Sequence, residues 1–189
     1  MITVTGLVQG VGFRPFVYRV AARSGLTGWV RNTNENVMME ISGPGRDISN
    51  FISCLRNEAP PAAEIDEINV TEISQKAHNG FSILESSNLS EDITEISPDI
   101  AVCDECLEDM SKPGSRYDYP FVNCTNCGPR FTIIEDLPYD RSSTTMRSFV
   151  MCPDCRGEYE TLTDRRFHAQ PAACRRCGPL YELLVNGNT

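Results

Sequence analysis

Eight of the nine cysteines stand in four Cys-x-x-Cys pairs: Cys103/Cys106, Cys124/Cys127, Cys152/Cys155 and Cys174/Cys177. Such a turn presents two thiolates to one ion, and a second pair completes a tetrahedron with no open position, the donor set of a structural zinc site. Eight thiolates therefore make two closed zinc sites, structural rather than catalytic. The other chemistries of paired cysteines fit less well. A redox Cys-x-x-Cys normally stands singly beside a βαβ unit. Disulfides are rare in a reducing compartment. A cytoplasmic location is expected, because Met1-Ile2-Thr3-Val4-Thr5-Gly6 has neither a basic n-region nor an apolar h-region.

The cysteine blocks repeat. Seventeen residues separate Cys106 from Cys124, and 18 separate Cys155 from Cys174. Arg116-Tyr117, Cys124, Cys127, Gly128, Pro129 and Phe131 recur 50 residues later as Arg166-Phe167, Cys174, Cys177, Gly178, Pro179 and Tyr181. This is an internal duplication of one module. The simplest pairing puts the first four cysteines on one ion and the last four on the other, and spacing alone leaves a crossed pairing open. Each module has few apolar residues, so metal binding is expected to fold it; structural zinc supplies about 10–16 kcal/mol in small peptides.

A second chemistry is carried by Gly6-Leu7-Val8-Gln9-Gly10-Val11-Gly12-Phe13-Arg14, which reads as strand, glycine loop and helix start. A helix N-terminus leaves backbone N–H groups free and carries positive dipole. Gly10 and Gly12 let the loop curl, so that successive N–H groups from Gln9 through Val11 and Phe13 point at one anion. Arg14 adds a charged fork for two phosphate oxygens. From the residues alone the same turn also reads as an ordinary tight connection.

The elements that hold this loop read as an α+β domain over residues 1–87. Ile2, Val4, Gly6 and Val8 alternate as a strand. Val17, Val20 and Ala21 mark a helix from Arg14 to Ser24, with Gly25 at its C-cap. Thr27–Thr33 and Val37–Ser42 flank Asn34-Glu35-Asn36 as a hairpin. Ile48, Phe51, Ile52 and Leu55 at i, i+3, i+4 and i+7 predict an amphipathic helix over Asp47–Asn57, ended by Pro60-Pro61. Ile68 and Val70 open a last strand and Phe81 and Ile83 close the domain, giving the β-α-β-β-α-β order of a ferredoxin-like fold. Trp29 and Cys54 read as core residues. Residues 88–97 are polar and acidic, a linker. Residues 98–180 form a tandem zinc-finger domain with four cysteines to each finger, and residues 181–189 read as a tail leading to a further domain.

Composition narrows the function classes. Lys and Arg number 17 against 26 Asp and Glu, a net charge of −9. That disfavours nucleic acid, which needs a basic stripe to displace counterions. No apolar run approaches the ~18 residues that cross a bilayer, so no membrane partner is expected.

Gly6 to Arg14, followed by Gly28-Trp29-Val30-Arg31-Asn32-Thr33, closely resembles the acylphosphatase signature, over about residues 1 to 86. The resemblance implies that Arg14 binds the phosphate of an acyl phosphate and that Asn32 orients the attacking water. Across the whole chain, Val8-Gln9-Gly10-Val11-Gly12-Phe13-Arg14-Pro15-Phe16, the four cysteine pairs and Arg166-Phe167-His168-Ala169-Gln170-Pro171 look like the N-terminal part of the HypF carbamoyltransferase family, which matures [NiFe] hydrogenases. That resemblance implies carbamoyl phosphate as substrate, hydrolysed in the first domain to carbamate and phosphate. It implies ATP as a cofactor only of a later YrdC-like domain, and transfer of the carbamoyl group to a cysteine of a HypE-like partner. His168 is expected to act toward later domains rather than as a ligand. The competing reading is a non-catalytic, zinc-dependent protein-interaction module with a vestigial phosphate loop.

Overall fold

In the computed structural model, which describes residues 1–33, 35–74, 77–87, 98–182 and 184–185, alternation and helical spacing resolve into one sheet backed by two helices. Strand β1 (Ile2–Leu7) buries Ile2 and Val4 on one face and carries a register shift between Thr5 and Gly6. Helix α1 (Phe13–Arg23) follows, then β2 (Thr27–Asn32), β3 (Val37–Ser42), helix α2 (Gly45–Asn57), β4 (Glu64–Val70) and β5 (Phe81–Ile83). The sheet order is β4-β1-β3-β2-β5. The first four strands pair antiparallel, and β5 lies parallel to β2.

Phe13, Phe16, Val17, Val20 and Ala21 of α1 and Phe51 and Leu55 of α2 pack on Val4, Val30, Val37 and Met39 of the sheet. Each of these side chains larger than alanine contributes about 1.5–3 kcal/mol when removed from water. Helix α1 closes as the glycine predicts: Gly25 has φ 63°, its N–H donates to the Ala22 carbonyl, and Leu26 N–H donates to the Ala21 carbonyl.

The stretch that the sequence reads as one closing strand is two, on opposite edges of the sheet. β4 is an edge strand with only Ile68 buried, so it shows little hydrophobic alternation. Trp29 is half-buried rather than core: it lies on the β2 face away from Val30, and the Arg31 guanidinium stacks on it at 4.8 Å. Cys54 packs, partly buried, on the first core. The hairpin residue Asn34, the whole linker of residues 88–97 and most of the tail lie outside the described residues.

In the cysteine-rich region, helices α3 (Asp104–Ser111) and α4 (Pro153–Glu160) each begin one residue after the first cysteine of a module, with Cys103 and Cys152 as N-caps. Most of the rest is turn. One buried cluster there holds seven residues, Cys106, Tyr119, Val122, Cys124, Cys127, Met146 and Ala173, three of which are thiols. Ala173 belongs to the second module and the others precede it, so the modules share this core. Among the described residues no helix is long and apolar enough to cross a membrane.

Candidate anion site and metal centres

The glycine loop curls through two residues of left-handed backbone. Gly10 and Gly12 have φ of 73° and 75°, a region that costs a side-chain-bearing residue strain. None of the backbone N–H groups from Gln9 to Arg14 finds an acceptor among the described residues. Val11 and Phe13 are buried in the core, so they offer the loop their amides rather than their side chains. Gln9 is also buried; its Nε2 donates to the Thr33 carbonyl at 2.6 Å and ties the loop to the end of β2.

Arg14 is 7% exposed and Asn32 0%. Neither Nδ2 nor Oδ1 of Asn32 has a hydrogen-bond partner among the described residues. A buried amide left unpaired costs about 1–3 kcal/mol, so such a group marks a place where a ligand or water belongs.

What the sequence does not reveal is that the cysteine-rich region covers this loop. A Cβ on Gly10 would lie 2.7 Å from Pro129 Cβ, and one on Gly12 would lie 3.0 Å from Thr125 Cβ. Arg14 Nη1 faces Asp140 Oδ1 at 2.8 Å and donates to Ser86 Oγ at 3.2 Å, while Nη2 donates to the Tyr139 carbonyl at 3.0 Å. Tyr139 N–H donates in turn to Gln9 Oε1 at 3.4 Å. The space left between Gly10, Gly12, Arg14 and this cover is about 20 Å³, room for one water and too small for a phosphoryl group, which would have to reach Arg14 from elsewhere. A larger cavity of about 360 Å³ also opens at Arg14, bounded by Ser86, Asp140, Tyr159 and His168.

His168 stands between the rings of Phe167 and Tyr159, with centroids at 4.6 and 5.0 Å. Burial first, and then the Arg14 charge, push its imidazole down to about 4, so it is neutral near pH 7. It belongs to neither cysteine cluster.

The cysteines gather sequentially: Cys103, Cys106, Cys124 and Cys127 in one cluster, Cys152, Cys155, Cys174 and Cys177 in the other, each with its four Sγ atoms within 4.8 Å of one another. The crossed pairing does not occur. Neighbouring Sγ atoms stand at 3.5 and 3.7 Å in the first cluster and at 3.8 Å in the second. A tetrahedral zinc with Zn–S of about 2.3 Å requires S–S edges of about 3.8 Å, so the donor set fits that ion. Burial and then the neighbouring thiols hold Cys103 up to about 12. Four thiols this close cannot ionise together without a cation.

Two arginines cross between the modules in matching ways. Arg116 of the first module donates from Nε to the Ala173 carbonyl at 2.9 Å, from Nη2 to Cys155 Sγ at 3.4 Å and from Nη1 to Glu158 Oε1 at 2.8 Å, all in the second module. Arg166 of the second module donates from Nε to the Asn123 carbonyl at 3.1 Å, from Nη2 to Cys106 Sγ at 3.9 Å and to Asp109, all in the first. Each module thus orients a metal ligand of the other. The sequence repeat marks both arginines; that they exchange partners follows only from the fold.

A ferredoxin-like domain with an amide-lined loop, followed by paired four-cysteine modules, defines an acylphosphatase-type domain joined to zinc fingers. Residues 1–83 match the Acylphosphatase family, and residues 102–134 and 151–184 match the HypF finger. The carbamoyltransferase HypF of Rhodobacter capsulatus is 48% identical over 187 residues, 98% of this chain and 25% of that protein. An acylphosphatase of Caldivirga maquilingensis is 45% identical over 71 residues, 36% of this chain and 74% of that one. A crystal structure of full-length HypF in its phosphate- and nucleotide-bound form superimposes with a TM-score of 0.89 at 47% identity, covering 94% of this chain and 24% of that one. The chain belongs to the HypF family and corresponds to its N-terminal acylphosphatase and zinc-finger region. It spans about a quarter of the length of the HypF relatives it matches.

Proposed function

We propose that this region hydrolyses carbamoyl phosphate to carbamate and phosphate, as the first step of a carbamoyltransferase that serves [NiFe] hydrogenase maturation. The observation that carries the reading is the run of acceptor-free amides from Gln9 to Arg14 with its buried guanidinium, together with a buried, unpartnered Asn32 next to Thr33, whose carbonyl accepts from Gln9. The amides and Arg14 hold the phosphoryl oxygens, where charge develops. Asn32 orients a water toward phosphorus. Water attacks phosphorus, the P–O bond to the carbamoyl group breaks, carbamate leaves with that electron pair, and the water's proton passes to a phosphate oxygen. An acyl phosphate has a good leaving group, so no protein nucleophile is required.

The two four-cysteine clusters would each hold one structural zinc. Zinc neutralises the crowded thiolates and closes a region whose apolar core is too small to fold unaided; it takes no part in hydrolysis. In the longer relatives' context, ATP and a HypE-like acceptor belong to steps beyond these residues. Eight cysteines kept for metal rather than disulfides suit a reducing cytoplasm.

Phosphate release from carbamoyl phosphate tests the reading. Arg14→Ala and Asn32→Ala should each lower it by about 10²–10³ or more, the usual cost of one preorganised donor. Equal rates in wild type and both variants would falsify it, and no release at all would favour the vestigial loop.

A further inference from the structure

A guanidinium offers an incoming oxyanion a two-pronged edge only if protein groups leave that edge open. Arg14 is fixed on one side. Its Nη1 meets Asp140 Oδ1 and Ser86 Oγ, and its Nη2 meets the Tyr139 carbonyl. Its Nε–H has no acceptor among the described residues, and only one Nη2 hydrogen is engaged. What remains is the Nε–H and the second Nη2–H, enough donors for two oxygens of one phosphate.

Two of these three holding groups come from residues 125 and 126 positions further along the chain, in the cysteine-rich region. The segment that supplies them is itself anchored. Tyr139 N–H reaches Gln9 Oε1 in the loop. Arg141 N–H donates to Gln170 Oε1 at 2.8 Å, and the Arg141 guanidinium donates to the carbonyls of Gln170 at 2.6 Å, Ala172 at 3.0 Å and Phe149 at 2.7 Å. Asp140 therefore stands on a braced strap rather than on a loose loop.

We propose that Asp140 is a positioning residue for the phosphate site: with the Tyr139 carbonyl it occupies one side of the Arg14 guanidinium and leaves the Nε edge for the phosphoryl oxygens. Asp140 touches no substrate atom in this arrangement and acts through Arg14. The inference rests on the proposed phosphate role of Arg14, and it makes the acylphosphatase-type site a composite of both regions.

The experiment compares inorganic phosphate binding to the chain, by calorimetry, with phosphate release from carbamoyl phosphate, in wild type, Asp140→Asn, Asp140→Glu, Arg14→Ala and the Arg14→Ala/Asp140→Asn pair. Asp140→Asn should weaken phosphate binding and lower kcat/KM by about tenfold or more, since misaimed groups are costly. Asp140→Glu should recover part of the loss. In the Arg14→Ala background, Asp140→Asn should cost nothing further, because the two side chains act as one unit. An effect of Asp140→Asn that is as large without Arg14 as with it points to general structure and overturns the proposal. So does equal phosphate affinity in wild type and Asp140→Asn. Wild-type binding of phosphate without hydrolysis sinks the hydrolytic reading alone, while a tenfold weaker Asp140→Asn still upholds the positioning. Absence of wild-type phosphate binding overturns both.

Discussion

Removing Arg116 should damage the metal centre it does not belong to. Arg116→Ala deletes bonds to Glu158, to Cys155 Sγ and to the buried Ala173 carbonyl, all in the second module. Truncating one partner of a buried ion pair costs about 3–5 kcal/mol. The lower end applies, because Glu158 keeps Arg166 Nη1 at 3.8 Å and is itself partly exposed. About 3 kcal/mol corresponds to roughly a 10²-fold loss of zinc retention, within the range for lost hydrogen-bonding partners of metal ligands. Arg166→Ala should act on the first module instead, and more mildly, since Arg165 Nη1 also donates to Cys106 Sγ at 2.8 Å. The assay is timed cysteine alkylation under a chelator, with each peptide quantified by mass spectrometry. Arg116→Ala should label Cys152, Cys155, Cys174 and Cys177 first, and Arg166→Ala should label Cys103, Cys106, Cys124 and Cys127 first. If each variant exposes the cysteines of its own module, the crossed bonds contribute nothing to metal retention and the reasoning is wrong.

Elemental analysis should find two zinc ions per chain, and chelation should abolish amide-exchange protection around α3 and α4 while the β1–β3 core keeps its own. A ratio near one, or unchanged protection, would refute the role given to metal in folding. Acid should weaken the fold through His168: the free imidazole titrates near 6.5 and the folded one near 4, so the unfolded chain takes up the extra proton in between. Stability from this group is complete above pH 6.5 and falls by about 3 kcal/mol as pH drops to 4. His168→Gln should flatten that part of the curve in urea unfolding at stepped pH, and an identical slope in both proteins would rule His168 out as its cause.

Much of the first domain is legible in the sequence because its core residues keep strict periods: Ile2 and Val4 at two, Phe51 and Leu55 at four. Edge strands escape this test. β4 buries one residue and β5 spans three, so neither imposes a pattern, and the residues predict one strand where two exist. Helices α3 and α4 leave no periodic trace, because eight residues with one buried position each, a cysteine, look like loop. The loop of Gln9–Arg14 and the eight cysteines are visible as local motifs. Asp140 is not, since its partner is 126 residues away and no local signal marks a residue that acts across such a separation. Sequential metal pairing also needs the fold, because near-equal spacings permit either arrangement.

The exchanged arginines tie the two fingers to each other. A contact in which residue i of one copy meets residue j of another, and j meets i, is the signature of a two-fold homodimer. Arg116 with its acceptors, and Arg166 with the equivalents 49 or 50 positions away, preserve that reciprocity inside one polypeptide. Each finger leans on its twin to brace a thiolate, and here the twin lies in the same polypeptide. Deleting either finger removes the arginine that braces the other's cysteine, so neither is expected to hold its metal as firmly alone.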